Sequence, residues 1–270
     1  MMKAFAIISF VISVSAWNYK DQDTWSQEYS QCNGLQQSPI DLLIESTIEK
    51  DSIPIEFIRY NKIFKGYDMI LENNGRTIQL SFSENIPDEF RPSIIGGILG
   101  NETFILDQIH FHWGSGTGRG AEHTFNSKRY ELEVHLVHRN SKYDSVEGAA
   151  GEHNGLTVLG ILGGFREISD CLQFIRYSGN STSLIYNFNP GKAFPVDKME
   201  GFFNYVGSLT TPECSENVNW IVFNDVQRIS EIELEKFRSL KTEDGSDLMD
   251  NWRVGQDLNG RNVYFIKNIS

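Results

Sequence analysis

The chain reads as a mainly β (α+β) single-domain protein with short peripheral helices, on three observations. Apolar and polar residues alternate over short runs separated by Gly, Asn, Asp and Pro. Helix signals are few, and one segment carries them best. Strand and helix patterns nowhere alternate with the regularity of a doubly wound parallel sheet.

The first sixteen residues, MMKAFAIISFVISVSA, have a lysine near the start and an apolar run from Ala4 to Val14. They end on Val14-Ser15-Ala16, a small-x-small cleavage site. This is the pattern of a secretory signal peptide over residues 1–16, with the mature domain over 17–270. The run is too short to span a bilayer, and no later run is long and apolar enough. The last residues, NGRNVYFIKNIS, lack the hydrophobic tail of a lipid-anchor signal. A soluble, secreted, extracellular protein with no membrane anchor is expected.

Asn73-Asn74-Gly75 marks a hairpin-type turn, and RTIQLSF (76–82) follows it as a strand. Further strands are expected at FILDQIHFHW (104–113), YELEVHLVHR (130–139), LTVLGILGGF (156–165) and NWIVFND (219–225). The helix is SEIELEKFRSLK (230–241). Ser230 and Glu233 form a capping box there, and Leu234, Phe237 and Leu240 recur at helical spacing.

The chain carries 24 Lys+Arg against 36 Asp+Glu, a net charge of −12. Removing the leader takes away Lys3 and leaves 23 against 36, or −13. Such acidity disfavours nucleic acid and anionic membrane surfaces as partners. Cys32, Cys171 and Cys214 are an odd set for an exported chain. Ile168, Cys171, Leu172 and Ile175 follow helical spacing, so Cys171 reads as a buried, inert thiol, which leaves Cys32 to pair with Cys214. Asn101-Glu-Thr103 and Asn180-Ser-Thr182 are glycosylation sequons, and Asn268-Ile-Ser270 is a less persuasive third.

QIHFHWG (108–114) places two histidines one residue apart. On a strand His110 and His112 project to the same side, while Ile109, Phe111 and Trp113 point the other way into a core. YELEVHLVHR offers His135 with the same alternation, so two antiparallel strands can converge three imidazoles. Three nitrogen ligands with one open position describe catalytic zinc. The same pattern also fits ordinary histidines on a sheet surface. Gln108 and Glu133 each precede a histidine by two and share its face, placed to accept the second ring N–H.

QIHFHWG, AEHTF (121–125), YELEVHLVHRN (130–140) and YVGSLTTPE (205–213) strongly resemble the α-class carbonic anhydrases. WNY (17–19), QQSPIDL (36–42), LTVLG (156–160) and DNWR (250–253) extend the resemblance over essentially the whole mature chain. It implies a twisted, mostly antiparallel sheet of about ten strands with the metal at the bottom of a conical cavity. It implies Zn²⁺ on His110, His112 and His135, and reversible hydration of CO₂ to bicarbonate and a proton by zinc-bound hydroxide. Thr210 would orient the hydroxide, passing its own proton to Glu122, with Asn251 joining Gln108 and Glu133 behind the ligands. Val137, Val158, Leu209 and Trp220 would line the CO₂ pocket. Tyr19, Asn74, Gln79 and Thr211 would line the polar side of the cavity. His123 and His138 match structural histidines, and Cys32 and Cys214 match the bridge of the family's extracellular members.

The sequence departs from the family pattern after the Asn73-Asn74-Gly75 turn. The fastest members carry a proton-shuttling histidine there, and this chain has Arg76. Arginine does not deprotonate in proteins, so proton export is expected to limit turnover. The alternative is a catalytically weak, carbonic-anhydrase-like binding, adhesion or storage protein. Relatives of that kind typically lack zinc histidines, whereas all three are present here.

Overall fold

A computed structural model of the protein describes residues 17–62, 69–83, 86–163, 168–184, 189–196 and 199–268. The expected leader, the last two residues of the 156–165 strand and Ser270 lie outside them. The alternating runs resolve into fourteen strands among the described residues. These are β1 (Asp41–Leu42), β2 (Ile48–Ser52), β3 (Ile55–Ile58), β4 (Met69–Asn73), β5 (Ile78–Phe82), β6 (Ser93–Gly96) and β7 (Phe104–Trp113). There follow β8 (Thr124–Phe125), β9 (Leu132–Asn140), β10 (Leu156–Leu162), β11 (Ser181–Leu184), β12 (Gly201–Ser208), β13 (Glu216–Phe223) and β14 (Tyr264–Asn268).

Ten of them form one continuous path, β11-β4-β5-β7-β9-β10-β13-β12-β14-β2. β3 and β6 join off that path, making a sheet of twelve. Pairing is antiparallel except at β10–β13 and β14–β2. β1 and β8 make a separate parallel pair. The family-implied count of about ten therefore describes the main path.

Period-two alternation divides the interior between the two faces of the sheet. Ile109, Phe111, Trp113, Leu132, Val134 and Leu136 pack into one apolar cluster, together with Leu234, Phe237 and Leu240 from the helix side. Val137, Val158 and Trp220 face the opposite way, into a second cluster with Phe203, Tyr205 and Val222. β9 is buried along its whole length, so its polar-face residues Glu133, His135 and Arg139 are as enclosed as its apolar ones. On this face His112 and His135 are buried, whereas His110 is partly exposed.

The helix forms at Glu231–Arg238 with both halves of the Ser230–Glu233 capping box in place. Phe237 packs against Trp113 at 5.4 Å and Phe111 at 6.0 Å, ring centre to ring centre. The hairpin turn follows β4. Gly75 sits at φ 84°, a conformation that favours glycine. Asn73 Oδ1 accepts from the Gly75 N–H at 2.9 Å.

One expectation needs correcting. Cys171 is a free thiol but only partly buried, whereas Ile168, Leu172 and Ile175 are fully buried. Leu172–Ile175 winds as a 3₁₀ turn rather than an α-helix. With three residues per turn, Leu172 and Ile175 stack on the inner side, while Cys171 aligns with the exposed Phe174.

Cys32 and Cys214 form a disulfide across 182 residues of sequence. It lies in a small aromatic cluster with Trp17, Tyr19, Trp25 and Tyr29 and ties the N-terminal segment to the loop after β12. Chain entropy alone would credit such a loop with about 5 kcal/mol. The double variant Cys32→Ser/Cys214→Ser should therefore lose roughly 2–5 kcal/mol of unfolding free energy in urea titrations. An unchanged midpoint and slope would show that the bridge contributes nothing.

Candidate metal centre

β7 and β9 run antiparallel with His110 directly opposite His135 and His112 opposite Glu133. The three imidazoles consequently meet on one face. His135 Nδ1 lies 3.1 Å from His112 Nε2 and 3.2 Å from His110 Nε2. Each ring's other nitrogen is committed elsewhere. His110 Nδ1 is 2.9 Å from Gln108 Oε1, His112 Nδ1 is 2.7 Å from the Asn251 carbonyl, and His135 Nε2 is 2.8 Å from Glu133 Oε1.

These contacts determine the protonation pattern. Burial, joined by the neighbouring imidazoles, holds His110 well below its ordinary pKa. Burial likewise pushes His112 down to about 4 and lowers His135, so all three are neutral at pH 7. A backbone carbonyl and a carboxylate can only accept, so the single N–H of His112 and of His135 points outward to them. His110 follows the same pattern with the Gln108 amide oxygen. The three inward nitrogens are then bare lone pairs at contact distance. They cannot bond to one another, and a cation between them is the arrangement that satisfies all three. Three neutral nitrogens suit Zn²⁺.

His123, Glu133 and His135 also lie close enough together to suggest a metal, but the carboxylate there is already saturated. Glu133 Oε2 accepts from the N–H groups of Glu122 at 2.8 Å and His123 at 2.7 Å. Its Oε1 lies 2.7 Å from His123 Nδ1 as well as close to His135. Burial would raise the Glu133 pKa, but His123 and His135 outweigh it and hold the group well below the usual carboxylate range. His123 Nε2 contacts the Tyr205 hydroxyl at 2.7 Å, which in turn meets Ser38 Oγ at 2.8 Å. His138 is equally enclosed, between the Tyr60 hydroxyl and the Leu136 carbonyl.

Glu122 is buried beside the cluster, 3.5 Å from His112 Nδ1. Its Oε1 accepts from the Arg253 backbone N–H at 2.7 Å. Its Oε2 is buried without a well-formed hydrogen bond among the described residues. Burial pushes this carboxyl up to about 7, with the nearby Thr210 hydroxyl among the groups that pull it back. Thr210 is itself buried.

Val137, Val158 and Trp220 stand side by side across β9, β10 and β13, each pair in direct register. Leu209 packs partly buried against the same cluster. Trp220 turns its ring edge-on to His135 and His123, both at 4.8 Å, so the apolar wall abuts the imidazoles.

On the polar side Gln79 lies opposite His110 in the β5–β7 pairing. Tyr19 stacks edge-on against Trp17 and Trp25. Burial raises its hydroxyl pKa, with Glu122 adding to the rise and Arg76 opposing it. The Arg76 guanidinium lies 4.7 Å over the Trp17 ring, and its carbonyl accepts from Asn251 Nδ2 at 3.0 Å. Asn74 is exposed, and its side-chain oxygen is spent on its own turn, accepting from the Arg76 and Thr77 N–H groups. The Thr211 carbonyl accepts from the Cys214 N–H at 2.8 Å.

Arg253 belongs to the DNWR motif, and the sequence alone assigns it no role. Besides its backbone bond to Glu122, its buried guanidinium donates to Gln37 Oε1, the Ser38 carbonyl and the Cys32 carbonyl. Trp17 as the support of Arg76 was also missed. Both belong to the short motifs DNWR and WNY, the only signal available. The two sequon asparagines, Asn101 and Asn180, are exposed.

Comparison with known proteins agrees with this geometry. The sequence model of the eukaryotic-type carbonic anhydrases matches residues 20–267. Carbonic anhydrase 7 of Mus musculus is 34% identical, covering 92% of this chain and 96% of its own. Carbonic anhydrase 3 of Equus caballus is 33% identical with the same coverage. Carbonic anhydrase 6 of Bos taurus is 32% identical over 92% of this chain and 79% of its own. The chain belongs to the eukaryotic-type carbonic anhydrase family.

Proposed function

We propose that this protein is a zinc-dependent enzyme that interconverts CO₂ with bicarbonate and a proton, and that proton export limits its turnover. The observation that carries the reading is the meeting of three neutral imidazole nitrogens at the end of an apolar wall. His110, His112 and His135 would hold Zn²⁺. When bound, the ion supplies the Lewis acidity that makes a water molecule nucleophilic near neutral pH.

The chain's own residues supply the rest. Gln108, Glu133 and the Asn251 carbonyl fix the tautomer and orientation of each ligand ring. Val137, Val158, Leu209 and Trp220 offer a nonpolar gas a dry surface beside the imidazoles. Glu122 Oε2, buried without another hydrogen bond among the described residues, would accept a hydrogen bond from the Thr210 hydroxyl. Thr210 must then accept from a hydroxyl-bearing nucleophile, which leaves that nucleophile's lone pair aimed at the apolar wall.

Removal of the proton is the weak step. All six histidines lie elsewhere than beside Arg76 in the turn. Three converge at the metal centre, His123 and His138 are buried in networks, and His153 is exposed in a turn. Arg76 occupies the cavity position where fast family members carry a relay, and a guanidinium does not release protons near neutrality. Its guanidinium rests over the Trp17 ring.

We read residues 1–16 as a secretory leader, residues 17–270 as the catalytic domain, and Asn101 and Asn180 as glycosylated in an exported protein. The Cys32–Cys214 disulfide and the exposure of both asparagines support this.

Stopped-flow CO₂ hydration should show turnover that rises with imidazole buffer concentration. In weak buffer Arg76→His should raise it by about 10-fold or more, since a placed acid–base group is worth roughly 10²–10⁴. Turnover independent of buffer would contradict the proton-export limit. Glu133→Gln should weaken zinc binding by about 10–100-fold in chelator competition. An unchanged affinity would remove Glu133 from the ligand-orienting set.

A further inference from the structure

The pairing of β7 with β9 changes register part-way along. Phe104, Ile105 and Leu106 pair with Asn140, Arg139 and His138, whereas Gln108, Ile109 and His110 pair with Val137, Leu136 and His135. Asp107 has no partner across the ladder and is the extra residue of a β-bulge. The outer neighbour of β7 changes at the same point. β6 pairs with Phe104 and Ile105, and β5 pairs with Gln108, Ile109 and His110.

The bulge decides which face the histidines occupy. Without it, the pairing of Leu106 with His138 would continue to set His110 opposite Val134 and His112 opposite Leu132. Val134 and Leu132 point into the apolar core. Directly opposed residues share a face, so both histidines would turn into that core, away from His135. One unpaired residue therefore brings the two strands' histidines to the same side.

The side chain of that residue is clamped. Asp107 Oδ1 pairs with Arg91 Nη1 at 2.7 Å, and Oδ2 with Arg139 Nε at 2.9 Å. Arg139 is buried and stands opposite Ile105, two residues before the bulged Asp107. Arg91 lies two residues before β6 begins and also donates to the Ile86 carbonyl. Asp88 closes the group, accepting from Arg139 Nη2 at 2.6 and 2.7 Å and lying 3.7 Å from Arg91 Nε. Two positive and two negative groups meet around the bulge; Asp107 Oδ2 and Arg139 Nε are close but not aligned as a hydrogen bond, and burial pushes the Asp107 carboxyl up to about 6 against the pull of both arginines.

We propose that Asp107 is a positioning residue for the metal centre: held by Arg91 and Arg139, it fixes the bulge that turns His110 and His112 toward His135. The inference rests on the metal assignment above and concerns how this chain builds that site.

Apoprotein titrated with Co²⁺ and followed by visible absorption tests it. The wild-type chain should take one Co²⁺ and show the intense bands of a tetrahedral nitrogen-rich site. Asp107→Asn should weaken Co²⁺ binding by about 10–100-fold, the range for residues that orient ligands, and change those bands while far-UV circular dichroism stays the same. Arg91→Gln should act in the same direction, and the double variant should fall short of the summed effects because both act through one bulge. A folded variant with wild-type Co²⁺ affinity and spectrum, even at a lower melting temperature, would make the clamp a plain structural brace and overturn the inference. If Asp107→Asn does not fold, Arg91→Gln decides by the same readings. A wild-type chain that takes no Co²⁺ would overturn the metal assignment and this inference with it.

Discussion

Three imidazole lone pairs face one another at 3.1 and 3.2 Å with no proton between them, and much of the surrounding structure serves that meeting. In a buried setting, unpaired acceptors at this spacing are costly. The cost is tolerable only if a cation joins them, so the arrangement reads as a metal site before any relative is considered. The three groups behind the rings make the arrangement obligatory. The Asn251 carbonyl and the Glu133 carboxylate cannot donate, and the Gln108 oxygen completes the set.

Several distant segments are recruited to this end. Glu133 is saturated by two backbone N–H groups and His123, which keeps its charge compensated while it holds His135. Asn251 uses its side chain to accept from the Trp113 N–H and to donate to the Phe111 and Arg76 carbonyls. Its own carbonyl is thereby presented to His112. One residue thus fastens the end of β7, the hairpin turn and the His112 ring together. The disulfide and the Arg253 guanidinium secure the loops on the other side.

The strand-borne part of this site was legible in the sequence because a strand repeats every two residues. His110, His112 and His135 could be set on one face, and Gln108 and Glu133 behind them, by counting alone. Contributions from loops were not legible in the same way. The Asn251 carbonyl and the Arg253 N–H are backbone atoms, whose roles leave no mark on residue identity, and they reach the site from 139 and 131 residues away in sequence. The register shift at Asp107 was hidden because alternation reads correctly on either side of it. Cys171 was misjudged because its spacing suits an α-helix and the chain there winds more tightly. Asn74 answers to its own turn through its side chain, a local bond that competes with any role in the cavity.

The central claim is that the imidazole cluster is a working zinc centre. It is tested most directly by measuring zinc content and CO₂ hydration on one preparation, before chelation, after it, and after zinc is restored. The account predicts one zinc per chain, with hydration that disappears on chelation and returns with the metal. A fully zinc-loaded protein with no hydration above the buffer's own rate would contradict it, leaving a built metal site that serves some other purpose.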